Sequence, residues 1–259
     1  MKMQNQIILT PFFLDEPLDG LRRLAASDWQ INDPRLPLGE KQQRMSRLHG
    51  PLADLVQQSV LAGKRPVSIA GDCCTAIGVL AGLQRAGLEP VLIWFDAHGD
   101  FNTWQTTPSG FLGGMPLAML VGRGQQTLLE ALKVKPLPEN RVILTDARDL
   151  DPGEKLLVAE AAVTHLTAVG DLLAVTLPEG PLYIHMDTDI IDPAEAPAMN
   201  YPAGGGPSAG ELQTIMQYLN RTGNIAAVSV SSWNPELDHD GQSRKVCMNL
   251  LHTLIDEKR

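Results

Sequence analysis

Two short segments of the sequence carry acidic residues at a spacing that suits metal binding. The first, VLIWFDAHGD, places Asp96, His98 and Asp100 at alternate positions directly after an apolar run. The second, LYIHMDTDIIDP, places Asp187 and Asp189 in the same relation to another apolar run. Alternate side chains of an extended chain project to the same side, so each segment presents its polar groups in one direction.

Acidic groups gathered in this way are costly unless a positive charge compensates them. A single aspartate at a strand end is explained as the cap of the next helix, but four aspartates and a histidine at two strand ends are not. Carboxylates pressed together raise one another's pKa unless divalent cations neutralise their repulsion. The two segments therefore predict a binuclear metal centre.

The elements that must position these groups alternate along the chain. Apolar runs of strand length predict strands at 6–9, 66–70, 91–95, 141–144, 182–186 and 225–230. Periodicity and length predict helices at 38–62, with a break or kink at Pro51, and at 75–85, 152–161, 209–220 and 241–258. This alternation predicts an α/β fold with three layers, α/β/α, around an open, mainly parallel sheet, in one domain over residues 1–259. In such sheets the ligand crevice lies at the carboxyl ends of the strands, where both acidic segments fall.

The composition is that of a globular protein without a polyanionic partner. Hydrophobic residues make up 44% and charged residues 20%, and the formal charge of -9 comes without a basic run that could grip phosphates, so we expect no nucleic-acid partner. The apolar stretch of the N-terminal segment is too short to span a membrane, and the segment lacks the small-residue cleavage site of a signal peptide. Cys73, Cys74 and Cys247 do not form a disulfide framework and suit a reducing compartment. We expect a cytoplasmic protein with a small-molecule substrate and no membrane partner.

In order and spacing, DAHGD and MDTDIIDP resemble the signature segments of the arginase and agmatinase (ureohydrolase) family, and the resemblance runs roughly from residue 66 to residue 235. It implies the arginase-like fold and two divalent ions, Mn²⁺ in that family, which activate water for hydrolysis of a carbon–nitrogen bond. It implies that Asp96 and Asp187 bridge the ions, that His98 and Asp189 complete one metal shell, and that Asp100 serves the other ion or orients the attacking hydroxide. No organic cofactor is implied, and the family's trimers and hexamers make a homo-oligomer plausible.

Three positions depart from the family pattern. Cys73 in AGDCC replaces a metal-binding histidine; we expect its thiolate to bind a metal, the alternative being a weakened or differently selective site. Gly113 in SGFLGG replaces the family's proton-relay histidine, a loss of roughly 100-fold or more in rate. Ser232 in SSWNP replaces the glutamate that holds the guanidinium, which argues against unmodified arginine bound in the usual way. Glu236 and Asp238 lie nearby in sequence, either as substitutes or as surface charges.

Other segments keep the pattern that the family uses for the amino-acid end of its substrate. NTWQTTPSG resembles the loop that contacts the α-carboxylate, and Asn102 and Ser109 are the corresponding residues. In ARDLDPGE, Asp151 corresponds to the residue associated with the α-amino group. The alternative for Asp151 is a helix cap, because Pro152 follows at a first-turn position.

Three more side chains are candidates for the site. Phe111 and Tyr201 fall in loops rich in Pro and Gly and predict a narrower or more apolar pocket, the alternative being packing between loops. His185 lies two residues before Asp187, on the same face of the strand. It is interpreted as a catalytic proton carrier, as a partner of the metal ligands, or as a core residue with a satisfied ring.

The resulting hypothesis is a binuclear-metal hydrolase of the amidinohydrolase type that acts on a guanidino or modified-guanidino amino acid. The chain resembles a subgroup, the Nω-hydroxy-L-arginine amidinohydrolases, in the cysteine at the first ligand position, which makes cleavage of hydroxyarginine to ornithine and hydroxyurea the most concrete expectation. One alternative is hydrolysis of a formimino compound or another small amidine, favoured by the loss of the guanidinium carboxylate. Another is a catalytically silent relative that acts as a binding protein.

Overall fold

A parallel sheet of eight strands forms the centre of the protein in the computed structural model, which describes residues 3–256. The strands of the chain are β1 (Gln4–Thr10), β2 (Phe12–Phe13), β3 (Glu16–Pro17), β4 (Gln30–Ile31), β5 (Lys64–Ala70), β6 (Val91–His98), β7 (Val142–Asp149), β8 (Thr164–Leu166), β9 (Leu182–Asp187) and β10 (Ile225–Ser231). The order across the sheet is β4-β1-β5-β10-β9-β6-β7-β8 with every pair parallel, and β2 and β3 form a separate antiparallel hairpin. The predicted open parallel sheet is confirmed.

Helices cover both faces of this sheet. They are α1 (Asp19–Arg22), α2 (Lys41–Leu61), α3 (Thr75–Arg85), α4 (Pro116–Leu120), α5 (Thr127–Leu132), α6 (Pro152–Glu160), α7 (Ala209–Thr222) and α8 (Gln242–Ile255). One buried apolar cluster lies between the sheet and α2, α3 and α5, and a second lies between the sheet and α7 and α8. The three layers α/β/α are therefore present as predicted. Within the described range, no helix combines the length and hydropathy needed to span a membrane.

Helix α7 illustrates how local sequence sets an element. Ser208 accepts a hydrogen bond from the backbone N–H of Glu211 at 3.2 Å, and the Glu211 carboxylate accepts one from the backbone N–H of Ser208 at 2.9 Å, which forms a capping box. Apolar residues then recur at helical spacing and are buried against the sheet: Leu212, Ile215, Met216 and Leu219.

The expected break at Pro51 is absent, because α2 continues through this residue. A proline normally disfavours the helical conformation of the preceding residue through a clash with its Cβ, and here that residue is Gly50, which has none. Helices α4 and α5 and strands β4 and β8 were not predicted, since elements of six residues or fewer show too little periodicity.

The sheet brings the two acidic segments side by side. Strands β6 and β9 are parallel neighbours, and Phe95 pairs with Met186. The next residues along the two strands, Asp96 and Asp187, therefore leave the sheet at the same edge. Strand β5 ends at that edge too, three residues before Cys73, so this edge collects side chains from distant parts of the sequence.

Candidate metal centre

The potential metal ligands form two overlapping groups at the carboxyl edge of the sheet. Cys73, Asp96 and Asp187 make up the first group, and Asp96, His98 and Asp189 make up the second. Within each group, one ligand atom from each residue lies within 4.8 Å of the others. We call these five residues the ligand rim. Asp96 is common to both groups, which is the arrangement of two adjacent cation positions that share a carboxylate.

Cys73 contacts the other ligands directly. Its thiol donates a hydrogen bond to Asp187 Oδ2 at 2.7 Å, and Sγ lies 3.0 Å from Ser231 Oγ. Burial raises the pKa of Cys73 well above its usual value, and the nearby carboxylates raise it further. A thiolate at this position therefore requires a cation beside it. The adjacent Cys74 is directed elsewhere, with Sγ 3.8 Å from the carbonyl oxygen of Leu112.

His98 supplies the positive charge nearest the acidic groups. Its Nδ1 lies 3.2 Å from Asp189 Oδ2 and 3.4 Å from Asp96 Oδ1. Burial lowers the pKa of His98, but the hydrogen bonds and charges of Asp189 and Asp96 outweigh burial and raise the pKa to about 12. The imidazolium thus stands in for a cation between two carboxylates. Metal binding would displace its proton, because a histidine ligand must be neutral.

Asp187, Asp189 and Asp100 are also buried, and of these three only Asp189 pairs with His98. Burial raises the pKa of Asp187 well above its usual range and that of Asp189 to about 6, and neighbouring carboxylates add to both shifts. Asp100 is 6% exposed, and its Oδ2 is buried without a hydrogen-bond partner. Burial, then the charges of Asp96 and Asp187, raise the pKa of Asp100 as well. Oxygen, nitrogen and sulfur donors arranged in this way fit a pair of divalent cations.

Neighbouring side chains hold the shared carboxylate in place. The indole N–H of Trp94 donates to Asp96 Oδ2 at 2.9 Å, and the backbone N–H of His98 donates to Asp96 Oδ1 at 2.7 Å. The role of Trp94 was not predicted, although its position two residues before Asp96 places it on the same face of the strand. Ser232 donates from Oγ to Asp187 Oδ2 at 2.5 Å and has a φ of 72°. Its hydroxyl is therefore already used by a member of the ligand rim.

His185 lies behind the ligand rim and does not line the cavity next to it. It is 0% exposed, and its ring stacks on Trp94 with centroids 3.8 Å apart. Nδ1 lies 2.7 Å from Ser229 Oγ, and Nε2 lies 3.5 Å from Ser231 Oγ, the hydroxyl that contacts Cys73. Burial lowers the pKa of His185 to about 3. Without contact to the cavity, the His185 ring lies where a partner of the metal ligands or a core residue would lie, and its catalytic role as a proton carrier stays a prediction.

A cavity of about 170 Å³ opens onto four members of the ligand rim, whereas the fifth, Asp96, is fully buried and does not line it. Among residues 3–256, none of the lysines or arginines lines it. Its lining includes acidic side chains outside the ligand rim and three aromatic rings, namely Asp72, Asp100, Asp149, Asp151, Glu154, Phe13, Phe111 and Tyr201. The cavity therefore combines a negative potential with an apolar surface, which suits a cationic molecule of small size.

The residues expected to bind the amino-acid end of a substrate also line this cavity. Asn102 donates from Nδ2 to Asp151 Oδ2 at 2.9 Å. Asp151 also forms a capping box with Glu154 at the start of α6, so the capping role considered from the sequence is present together with the cavity position. Ser109 Oγ accepts a hydrogen bond from the backbone N–H of Phe111 at 3.2 Å and lies at the exposed end of the site.

The two acidic residues considered as substitutes for the missing guanidinium partner do not line the cavity. Asp238 accepts hydrogen bonds from the indole of Trp233 at 2.9 Å and from the backbone N–H of Arg244 at 2.7 Å, at the start of α8. Glu236 is exposed. Neither Glu236 nor Asp238 therefore takes the place of the missing glutamate at the cavity.

Arg148 connects two loops at the edge of the site. It leaves β7, pairs with Asp146, and donates four hydrogen bonds to carbonyl oxygens. The acceptors, at 3.0–3.2 Å, are the carbonyl oxygens of Asp189, Ile190, Ala203 and Gly204. The segment that carries Asp189 and the loop that carries Tyr201 are thereby anchored to one strand. Nothing in the sequence pattern indicated this contact.

Comparison with known proteins agrees with this arrangement of fold and ligands. The sequence pattern of the arginase family matches residues 14–256. The arginase of Bacillus subtilis is 34% identical over 220 residues, which cover 80% of this chain and 74% of that protein, and the arginase of Bacillus caldovelox is 33% identical over 223 residues with the same coverage. A crystal structure of Bacillus subtilis arginase superimposes with a TM-score of 0.82 at 25% identity and covers 98% of this chain and 99% of that one. With its parallel sheet, its acidic strand ends and these similarities, the chain belongs to the arginase family.

Proposed function

We propose that the protein is a metal-dependent hydrolase with two metal ions that cleaves a carbon–nitrogen bond of a guanidino or modified-guanidino amino acid. The observation that carries this proposal is the buried carboxylate of Asp96, which belongs to two ligand groups whose other four members line one cavity. Two divalent ions, Mn²⁺ in our proposal, supply a Lewis acid and lower the pKa of water to near neutrality. Cys73 and Asp187 with Asp96 would hold one ion, and His98 and Asp189 with Asp96 would hold the other.

Asp100 is proposed to hold and orient the water that attacks the substrate, or to complete the shell of one ion. Its buried Oδ2 has no hydrogen-bond partner, and the side chain lines the cavity beside the ligand rim. A buried acceptor without a donor is costly, so a ligand or a water proton at this atom would relieve that cost.

Asn102, Ser109 and Asp151 are proposed to bind the amino-acid end of the substrate. All three line the cavity on its approach to the ligand rim. An acidic cavity favours the α-amino group and the cationic carbon–nitrogen head of such a molecule. The α-carboxylate would be met by the hydroxyl of Ser109 and the amide of Asn102.

The finer proposal is Nω-hydroxy-L-arginine, cleaved to ornithine and hydroxyurea. Ser232 offers a neutral hydroxyl that is already donated to Asp187, so a fully charged guanidinium has no carboxylate at this position to pair with. An N-hydroxylated guanidine carries less positive charge at neutral pH and depends less on such a partner. The same feature keeps a formimino amino acid as the second candidate.

Metal analysis combined with product assays tests both levels of the proposal. Protein purified without chelators and loaded with manganese should contain two equivalents of metal and release hydroxyurea from Nω-hydroxyarginine faster than urea from L-arginine. Cys73→Ala should reduce the content to about one equivalent, whereas the matched control Cys74→Ala keeps two, because only Cys73 lies in a ligand group. With cobalt in place of manganese, the wild type should show a thiolate-to-metal charge-transfer band that Cys73→Ala lacks.

The alternatives give different results in the same assays. Two equivalents of metal with turnover of a formimino amino acid alone would support the proposed metal-dependent hydrolase but show that its substrate is a formimino compound. Less than one equivalent and no release from any of the three compounds would favour a silent relative. Equal metal content in Cys73→Ala and the wild type would remove the cysteine from the ligand set.

A further inference from the structure

The ring of Phe111 occupies the space that a side chain at position 113 would need. A Cβ atom added at Gly113 would lie 2.3 Å from Cε1 and 2.4 Å from Cζ of that ring, far inside van der Waals contact. Because both atoms belong to a rigid ring, the whole Phe111 side chain would have to move. The glycine and the phenylalanine are therefore one structural unit rather than two independent changes in this loop.

Phe111 is also the middle of a cluster of three rings. Its centroid lies 6.3 Å from that of Phe13 with 15° between the ring planes, and 5.1 Å from that of Tyr201 with 44° between the planes. The three residues come from the hairpin after β1, the loop after β6 and the loop after β9, and all three line the cavity. We call this cluster the aromatic wall. Tyr201 is 50% exposed, so the wall extends to the mouth.

Around a cavity this acidic, an aromatic wall has a specific chemical use. The face of an aromatic ring attracts cations, and planar delocalised cations can also stack on it, which a compact ammonium group cannot do. By charge alone the carboxylates do not distinguish between these two shapes, because they attract any cation. The rings do, and the hydroxyl of Ser232 is not free to take over the task because it is donated to Asp187.

Building on the proposed function, we propose that Phe111 is the specificity-determining residue of this site: with Phe13 and Tyr201 it stacks against the planar carbon–nitrogen head of the substrate, in the place where Gly113 leaves no side chain. The ligand class is that of planar amidine and guanidine heads, including N-substituted ones, on an amino acid. The wall selects shape, and the acidic residues select charge.

The test separates shape from charge by ligand binding, independently of turnover. Calorimetry on the metal-loaded protein compares L-arginine, which has a planar head, with L-lysine, which has a compact one. The wild type should prefer L-arginine. Phe111→Leu keeps an apolar side chain but removes the ring face, and should reduce that preference about 2- to 30-fold, the range expected for cation–π contacts from exposed to desolvated settings. Phe111→Tyr, the matched control, should keep the preference within about twofold, since the ring face remains.

Each outcome bears on the proposal. Equal preference in Phe111→Leu and the wild type would overturn it, as would equal weakening of both ligands, which indicates loss of packing alone. A wild type that does not prefer L-arginine also overturns it. Melting temperatures of both variants show whether the fold is kept. If the preference behaves as expected but no carbon–nitrogen substrate is hydrolysed, only the proposed function fails; if hydrolysis occurs and the preference does not change, only the role of Phe111 fails.

Discussion

The ligand rim and the aromatic wall meet at one cavity but are built in different ways. Four members of the ligand rim lie on or directly after β6 and β9, which are adjacent in the sheet and buried on both faces. The aromatic wall comes from three loops or hairpins, and its rings are only partly buried. In the rim the position of each group follows from strand pairing, whereas in the wall it follows from contacts between loops. The residues that need a fixed geometry are therefore held by strands. The residues that select among substrates are held by loops, where substitutions destabilise the fold less.

The largest expected effect comes from the carboxylate that the two ligand groups share. Asp96→Asn should lower turnover at least about 1000-fold, since the two ions together contribute several kcal/mol to the stability of the transition state. Metal content should fall at both positions rather than one. Asp149→Asn is the matched control, because Asp149 lines the cavity and belongs to neither ligand group, and its 69% exposed carboxylate approaches His98 Nε2 only at 4.0 Å. If both variants lost metal equally, acidity of the cavity and not the ligand geometry would explain binding.

The next effect tests whether the wall explains the missing proton carrier. The double variant Phe111→Asn with Gly113→His frees the space at position 113 and places an imidazole there, and should raise turnover of L-arginine by roughly 100-fold, the scale of general acid–base catalysis. Gly113→His alone should give no gain and should lower the melting temperature, because the ring of Phe111 occupies the space. Steady-state urea release and thermal unfolding of the three proteins provide the measurement. A gain from Gly113→His alone would show that the two positions are independent.

A smaller effect concerns the support of the ligand rim. Trp94→Phe removes the indole N–H that donates to Asp96 but keeps a ring against His185, and should weaken metal affinity about 10- to 100-fold, as is usual when a hydrogen bond to a ligand is lost. Trp233→Phe is the matched control, since it removes the same kind of bond to Asp238, which is in neither ligand group. Competition with a metal-binding dye gives both affinities. Equal affinities in the two variants would mean that the Trp94 bond does not support the site.

These two regions also differ in how far the sequence could predict them. The meeting of Asp96 with Asp187 followed from apolar strands that end in aspartates, because parallel strands of one sheet end at the same edge. The aromatic wall could not be predicted as a cluster. Phe13 was not considered at all, since it lies in a two-residue strand, and the ring contacts depend on loop conformations without periodicity. Likewise the burial of His185 depends on packing against Trp94 that strand alternation alone does not reveal.

Other expectations stay predictions. Manganese as the metal, the homo-oligomer and the cytoplasmic location are predictions from the family resemblance and from composition. A helix was expected over 241–258, and α8 ends at Ile255. Positions 257 and 258 lie outside the residues that the structure describes.

The contacts of Arg148 have a consequence for how the site can diverge. All four hydrogen bonds that hold the neighbouring loops end on backbone carbonyl oxygens, which every amino acid provides. Exposed residues of the loop at 192–207 can therefore be exchanged without loss of the anchor, with the exception of Gly206, which has a φ of 103° and where an added Cβ atom would lie 2.6 Å from Cζ of Arg148. Tyr201 is thus free to vary under selection for a new substrate while Asp189 stays fixed. A library randomised at Tyr201 should keep its metal content and spread widely in substrate preference.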